Sequence, residues 1–280
     1  MSDAARSNLP IGVYDSGIGG LSVLRVIQSR MPAENIIYVA DQAHVPYGNR
    51  PMEEIRSLAE GVTRFLLSQG AKLIVIACNT ASAAALKDLR VRYPQVLFVG
   101  MEPAVKPAAE QTLSGHVGVL ATPSTFQGEL YASVVERFAQ DVTLHQATCP
   151  GLVSQIEKGF LRSAKTKRIL QDAVEPMLSA GVDTLVMGCT HFPFVIPVID
   201  EISHGQARVI DPAPAIARQV ERVLSQNGLL NSAAASGQLA YLTSGDPLRM
   251  KKQIALLLGA AADPRALRWS AGTLLLAEPL

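Results

Sequence analysis

Cys78 and Cys189 stand at matching places in two similar stretches, LIVIACNT (73–80) and TLVMGCTH (184–191). Each closes a short apolar run and has a hydroxyl residue close behind it. A lone cysteine at a strand end is usually part of the core, because cysteine is among the most buried residue types. Two at equivalent ends, each trailed by threonine, point instead to reactive thiols. A helix N-terminus beside such a sulfur would draw its pKa below the free value of about 8.5 and favour thiolate. Cys149, ahead of Pro150, has no such counterpart and is read as structural. Metal binding is the rival use of these side chains. Cys189 and His191 form the one close Cys/His pair, and the paired spacing of zinc sites is missing, so no metal is expected.

Other polar residues gather at the ends of apolar runs: Asp15-Ser16-Gly17, Asp41, Cys78-Asn79-Thr80, Thr122 to Thr125, and Cys189-Thr190-His191. In open α/β sheets ligands bind beyond the carboxyl ends of strands, where loop amides and helix N-termini collect. Gly17, Gly19 and Gly20 do not make a dinucleotide fingerprint, since Ser22 occupies its last glycine position, and no GK[ST] follows. They make a tight strand-to-helix turn whose amides, around Ser16, suit a small anion such as a carboxylate. His44 lies near Tyr47 and Gly48 and is placed at the cleft. Composition alone assigns Asp15, Asp41 and Glu157 to helix caps or surface, and His116, His145 and His204 to surface or satisfied interior positions.

The elements that must position these groups alternate along the chain. Ile11–Tyr14, Ile36–Ala40, Leu73–Ala77, Val96–Gly100, Val117–Leu120, Thr184–Met187 and Arg208–Ile210 read as buried strands, short and rich in Val and Ile. Helical periodicity lies between them, as in Met52, Ile55, Leu58, Val62, Phe65 and Leu66, or in Ile169, Ala173, Val174, Met177 and Leu178. Pro176 is expected to end or kink the second helix. The alternation predicts an α/β protein with mainly parallel sheets flanked by helices. IGVYDSGIGG (11–20) also echoes VGVLATPSTF (117–126), at an offset close to that between the two cysteines. Two echoes in the same order predict an internal duplication: two similar α/β domains, each presenting one cysteine to a shared cleft.

The bulk properties narrow the class. The 280 residues suit one large or two modest domains, and a hydrophobic content of 48% is enough to fill them. Lys and Arg total 25 against 24 Asp and Glu, a net charge of +1 without runs of one sign, which argues against a nucleic-acid surface. No segment reaches the roughly 18 uninterrupted apolar residues of a membrane span. The first ten residues lack the apolar stretch of a signal peptide. Three cysteines without CxxC do not build a secreted disulfide framework, and a cytoplasmic protein is expected.

Taken together the motifs resemble the glutamate racemases, within the cofactor-independent aspartate/glutamate racemase superfamily. The resemblance rests on GVYDSGIGGLS (12–22), PYG (46–48), CNT (78–80) and GCTH (188–191), with support from VGMEPA (99–104), ATPST (121–125) and Cys149-Pro150 leading to Glu157. It runs to about Gly245. His44 stands where the family commonly has Arg, and DPAP (211–214) departs from the commoner small-residue version. The resemblance implies racemisation of glutamate without a cofactor, by two opposed acid/bases, because one base cannot reach both faces of a fixed substrate. It implies that Cys78 takes the α-proton of D-glutamate while Cys189 donates, with roles reversed for L-glutamate. Ser16, Asn79, Thr80 and Thr190 would hold the α-carboxylate, and Thr122, Thr125 and the Pro46-Tyr47-Gly48 turn the rest of the substrate. Asp15 would tune Cys78, and His191 would tune Cys189. Asp41 and Glu157 would add electrostatic or ammonium-binding support.

It further implies a homodimer and a role in supplying D-glutamate for peptidoglycan in a bacterial cytoplasm. The alternatives are a racemase of aspartate or another amino acid, against which His191 after the second Cys-Thr argues, and a non-catalytic, gyrase-inhibiting partner role. Activation by a cell-wall precursor is not expected, as the segment before Gly12 is short. The expected partition is 1–100 plus 209–280 for one domain and 101–208 for the other, with the cleft between them.

Overall fold

A computed structural model describes residues 6–277; the extreme ends of the first expected domain, 1–5 and 278–280, lie outside them. Eleven strands form two sheets among the described residues. The first sheet contains β1 (Ile11–Asp15), β2 (Ile36–Ala40), β3 (Leu73–Ile76), β4 (Leu97–Gly100), β9 (Leu239–Thr243), β10 (Arg265–Ser270) and β11 (Thr273–Leu276). Their order is β11-β10-β9-β2-β1-β3-β4, parallel except for the β10–β11 hairpin. The second sheet is β6-β5-β7-β8, all parallel, from β5 (His116–Ala121), β6 (Thr143–Ala147), β7 (Thr184–Gly188) and β8 (Arg208–Ile210).

Both sheets are helix-covered, and the residue period of the strands divides the core accordingly. Side chains alternate across a strand, so Ile11, Val13, Leu73 and Val75 pack with the helices Leu21–Arg30 and Ala213–Gln226 on one face. Tyr14, Ile74 and Ile76 pack with the helices Met52–Ser68 and Asn79–Arg92 on the other. In the second sheet Val117, Val119 and Val186 face one side, whereas Leu120, Leu185 and Met187 join the same cluster as Ile11 and Val13. One continuous core therefore reaches from the first lobe into the second. Burying each such aliphatic side chain contributes about 1.5–3 kcal/mol.

The two sheets also share a topology. Within the first, β2-β1-β3-β4 has the order second, first, third, fourth; β6-β5-β7-β8 repeats it. The chain moves outward from a central first strand in both, and the order reverses between β1 and β3 and again between β5 and β7. A crevice opens beyond the strand ends at such a reversal. Asp15 ends β1 and Cys78 follows β3; Thr122 and Cys189 follow β5 and β7. The repeat foreseen from the sequence echoes is thus carried by strand order as well.

Some expectations are corrected. The helix Ala164–Ser179 does not end at Pro176, because the proline falls in its last turn on an exposed face, where water can take the carbonyl bond it forfeits. Strand β6, TLHQA, carries no apolar run because it is a largely exposed edge strand. The expected boundary between 208 and 209 falls inside β8, which is bonded to β7 throughout. The DPAP departure has a local purpose: the Asp211 carboxylate accepts the Ala213 amide at 2.9 Å and begins the helix Ala213–Gln226. Among the described residues no helix is long and apolar enough to cross a membrane.

A buried ion pair ties the periphery of the first sheet together. Lys72 Nζ donates to the Glu34 carboxylate and to the carbonyls of Ser7 and Leu229, and Glu34 accepts the Asn231 amide. Both side chains are shielded from solvent. Lys72→Met leaves a buried carboxylate uncompensated and is expected to cost about 3–5 kcal/mol in urea unfolding. The double variant Glu34→Leu/Lys72→Met should lose less than the single one. A loss below about 1 kcal/mol for Lys72→Met would contradict this account of the pair.

Candidate active site

The turn after β1 brings the two lobes into contact. A Cβ on Gly17 would lie 2.0 Å from Glu157 Oε1, and one on Gly19 would lie 2.4 Å from His191 Nδ1 and 2.6 Å from Thr190 Oγ1. Only glycine permits this approach. It lets the Ile18 amide donate to Glu157 Oε1 at 2.8 Å, and Ser22 Oγ donate to the Thr190 carbonyl at 2.9 Å. Thr190 Oγ1 donates in turn to Asp15 Oδ2 at 2.8 Å.

Cys78 is the N-cap of the helix Asn79–Arg92, its sulfur accepting the Ala81 amide at 3.4 Å. Its thiol donates toward Ser16 Oγ at 3.8 Å, and Ser16 lies beside Asp15. Capping alone would lower the thiol pKa. Burial and then the nearby Asp15 charge outweigh the Ala81 amide and push it up to about 12, with Cys189 adding a smaller upward push. The expectation of a depressed pKa at Cys78 is overturned, since burial and a charge brought in by the fold exceed a local cap. Cys189 is followed by a short 3₁₀ turn, Phe192–Val195, rather than directly by an α-helix.

Cys189 has a different neighbour. His191 Nδ1 lies 3.9 Å from its sulfur, and Nε2 lies 2.9 Å from Glu157 Oε1. Burial opposes charge on His191, yet the Cys189 sulfur, Glu157 and Asp15 more than offset it and hold the imidazole well above its ordinary pKa. Glu157 is held below the usual carboxylate range. Burial works against this, but His191, the Ile18 amide and Gln42 outweigh it. Asp15 goes the other way: burial raises it further than His191, Thr190 and Gly17 can lower it. Two carboxylates in one cleft thus have their proton affinities driven apart, a common arrangement at acid–base sites.

Hydroxyls line the crevice from both lobes. Thr80 Oγ1 lies 2.9 Å from Thr122 Oγ1 and 3.5 Å from Thr125 Oγ1, while Thr122 and Thr125 are 2.9 Å apart. Beside them the buried Asn79 amide has neither its nitrogen nor its oxygen paired. Buried polar groups are nearly always satisfied, so this amide is available to a ligand with both a donor and an acceptor. A cavity of about 200 Å³ adjoins the threonines, lined among others by Pro46, Gly48, Thr122, Cys149 and Phe192. The larger groove of about 720 Å³ along Tyr241 and Leu257 contains none of these groups.

Two expected site residues sit elsewhere in the arrangement. Asp41 accepts from Tyr47 Oη, Ser244 Oγ and Trp269 Nε1 at 2.6–2.7 Å and lies 3.0 Å from His44 Nδ1. These partners fill the roughly four acceptor sites of a carboxylate. Burial raises its pKa, but these hydrogen bonds bring it below the usual range. Asp41 therefore anchors the 41–48 loop to the C-terminal strands, and His44 joins it there with its ring edge-on to Trp269. The Tyr47 side chain turns inward to Asp41, leaving Pro46 and Gly48 to line the cavity. His116 and His145 pair with each other at 3.0 Å.

Three contributors were missed in the sequence. Gln42 and Gln253 both donate to Glu157, and Cys149 lines the cavity close enough to Cys189 to feel its charge. The glutamines carry no motif, and Gln253 comes from a helix near the far end of the chain; only the cysteine followed by proline offered a signal. Among the described residues no group of three or more His, Cys, Asp and Glu is placed to hold a metal ion.

Comparison with known proteins identifies relatives of the whole chain. The model of the Asp/Glu/Hydantoin racemase family matches residues 12–220. The chain is 51% identical over 259 residues to a glutamate racemase of Pseudomonas paraeruginosa, covering 91% of this chain and 96% of that protein. Among solved structures, glutamate racemase isoform RacE1 of Bacillus anthracis superposes with a TM-score of 0.86 at 28% identity, over 95% of this chain and 99% of that one. The glutamate racemase of Francisella tularensis, solved in complex with D-glutamate, gives 0.81 at 28% identity, over 94% and 98%.

The upward push of Asp15 on Cys78 is measurable. Asp15→Asn removes the charge, so iodoacetamide labelling of Cys78, followed by peptide mass spectrometry across pH 7–10, should rise about one pH unit earlier than in the parent protein. Unchanged labelling profiles would contradict that electrostatic link.

Proposed function

Since this chain belongs to the Asp/Glu/Hydantoin racemase family and is an isomerase, we propose that it interconverts L- and D-glutamate by a two-thiol, 1,1-proton transfer. The observation that carries this reading is the equivalence of Cys78 and Cys189, each just past the third strand of a repeated sheet and near enough for the charge of Cys189 to bear on Cys78. Inversion at Cα removes a proton from one face and returns one to the other, which needs two acid/bases on opposite sides. Cys78 takes the proton from D-glutamate and Cys189 gives one back; L-glutamate reverses the order.

The residues around each sulfur support different parts of that task. A thiol pushed up to about 12 resists ionising in the resting cleft. The substrate ammonium entering beside Cys78 and Asp15 supplies the positive charge that lowers that barrier. At the other sulfur His191, held protonated against Glu157, places a positive charge 3.9 Å from Cys189 Sγ. The unpaired Asn79 amide, with Ser16, Thr80 and Thr190, takes the α-carboxylate and spreads the charge that grows there as the proton leaves. Thr122, Thr125 and the backbone of Pro46, Tyr47 and Gly48 hold the remainder of the substrate. Acid–base transfer accounts for about 10²–10⁴-fold, so fixed hydrogen-bond donors must provide much of the rest.

In this reading the enzyme acts in the cytoplasm as a homodimer, and its D-glutamate feeds peptidoglycan precursors. The lobes that close on the substrate are 1–100 with 209–280, and 101–208, the second extended by the last residues of β8. Purified protein given L-glutamate in D₂O should form D-glutamate carrying deuterium at Cα. Cys78→Ala and Cys189→Ala should each lower racemisation by at least about 10²-fold. Undiminished racemisation in both variants would refute the two-thiol mechanism, and a clear preference for aspartate in an amino-acid panel would refute the substrate.

A further inference from the structure

Glu157 is held mainly from the opposite lobe. It ends the helix Leu152–Glu157 in the second lobe, and its partner His191 follows β7 in the same lobe. Its other donors come from the first lobe: the Ile18 amide on Oε1, and on Oε2 the side-chain amides of Gln42 at 3.0 Å and Gln253 at 3.2 Å. Gln253 Nε2 also donates to the Glu157 carbonyl at 2.6 Å.

The orientation of both amides is determined by their other partners. The Thr243 hydroxyl receives the Gly245 amide at 3.0 Å and donates its own proton to Gln42 Oε1 at 2.9 Å. Gln42 must then present its nitrogen to Glu157. The same nitrogen donates to Gln253 Oε1 at 2.9 Å, which turns the Gln253 nitrogen toward Glu157 as well. Flipping either amide would face oxygen against carboxylate.

These donors are neutral. They fix the carboxylate without neutralising it, and leave its charge for the imidazole 2.9 Å away. Apart from the imidazole, Arg249 reaches only to 3.8 Å from Oε2 and is half exposed. Asp15 and Tyr38 are the other titratable groups whose charge bears on Glu157 or is affected by it; Cys189 and Asp15 are those bearing on His191. Neither glutamine lines the cavity beside the threonines.

We propose that Gln42 and Gln253 are positioning residues for the Cys189 side of the reaction, holding Glu157 across the lobe junction so that it fixes His191 against Cys189. The proposal rests on the two-thiol reading above for its catalytic consequence, though not for its effect on His191. It also gives lobe closure a chemical outcome, because separation of the lobes would take both donors away from Glu157.

Gln42→Met and Gln253→Met keep the approximate volume and remove the donors. In the resting protein, imidazole ¹⁵N NMR should show the His191 titration midpoint about one pH unit lower in each variant. In turnover each should reduce kcat about tenfold with KM within about twofold, and the pH profile should narrow as Glu157 protonates at higher pH and His191 deprotonates at lower pH. In a Glu157→Gln background the same substitutions should cost less than about twofold, because the charge they position is gone. Equal losses in both backgrounds, or an unmoved His191 midpoint, would overturn the proposal and leave the glutamines as braces of the lobe junction. Loss of the two-thiol reading alone would instead appear as a parent protein that fails to racemise glutamate while the NMR shift persists.

Discussion

Asp15 and Glu157 are both excluded from water, and each needs hydrogen bonds from the lobe it does not belong to. Asp15 receives the Thr190 hydroxyl from the second lobe; Glu157 receives the Ile18, Gln42 and Gln253 amides from the first. A buried carboxylate without such partners would be driven toward its neutral form. The cleft can therefore be electrostatically complete only when the lobes meet. Gly17 and Gly19 make that meeting sterically feasible, since any side chain at either position would occupy the space of Glu157 or His191.

The repeated strand order provides the frame, and the unlike residues around it provide the chemistry. The repeated strand order puts one sulfur past the third strand of each sheet. Around Cys78 are a serine hydroxyl, a helix-capping amide and an acid whose proton affinity is raised; around Cys189 are an imidazole and an acid whose proton affinity is lowered. The two sulfurs thus begin from unlike electrostatic positions. Each direction of a racemisation would then draw on different supporting groups, although the bonds made and broken are mirror images.

Much of this was legible in the chain. The central strands are apolar because they are covered on both faces, so β1, β3, β5 and β7 announce themselves, and the residues just past them could be named as a site. The polar edge strand β6 could not be read that way. The glycines of GVYDSGIGGLS were read as a turn, which they make, but their closer constraint comes from Glu157 and His191, more than a hundred residues away. The Cys78 cap was a local feature and was foreseen; the burial and Asp15 charge that reverse its effect are tertiary. Asp41 carried the right residue type at a strand end, yet Ser244 and Trp269, from the C-terminal part of the sheet, turn it into an anchor.

What decides the account is where the two sulfurs stand relative to a bound stereocentre. A crystal structure of the protein with D-glutamate should place Cys78 Sγ and Cys189 Sγ on opposite faces of the ligand's Cα, each within about 3–3.5 Å, with the α-carboxylate at the Asn79 amide. Both sulfurs on one face, or a ligand seated away from either of them, would contradict it.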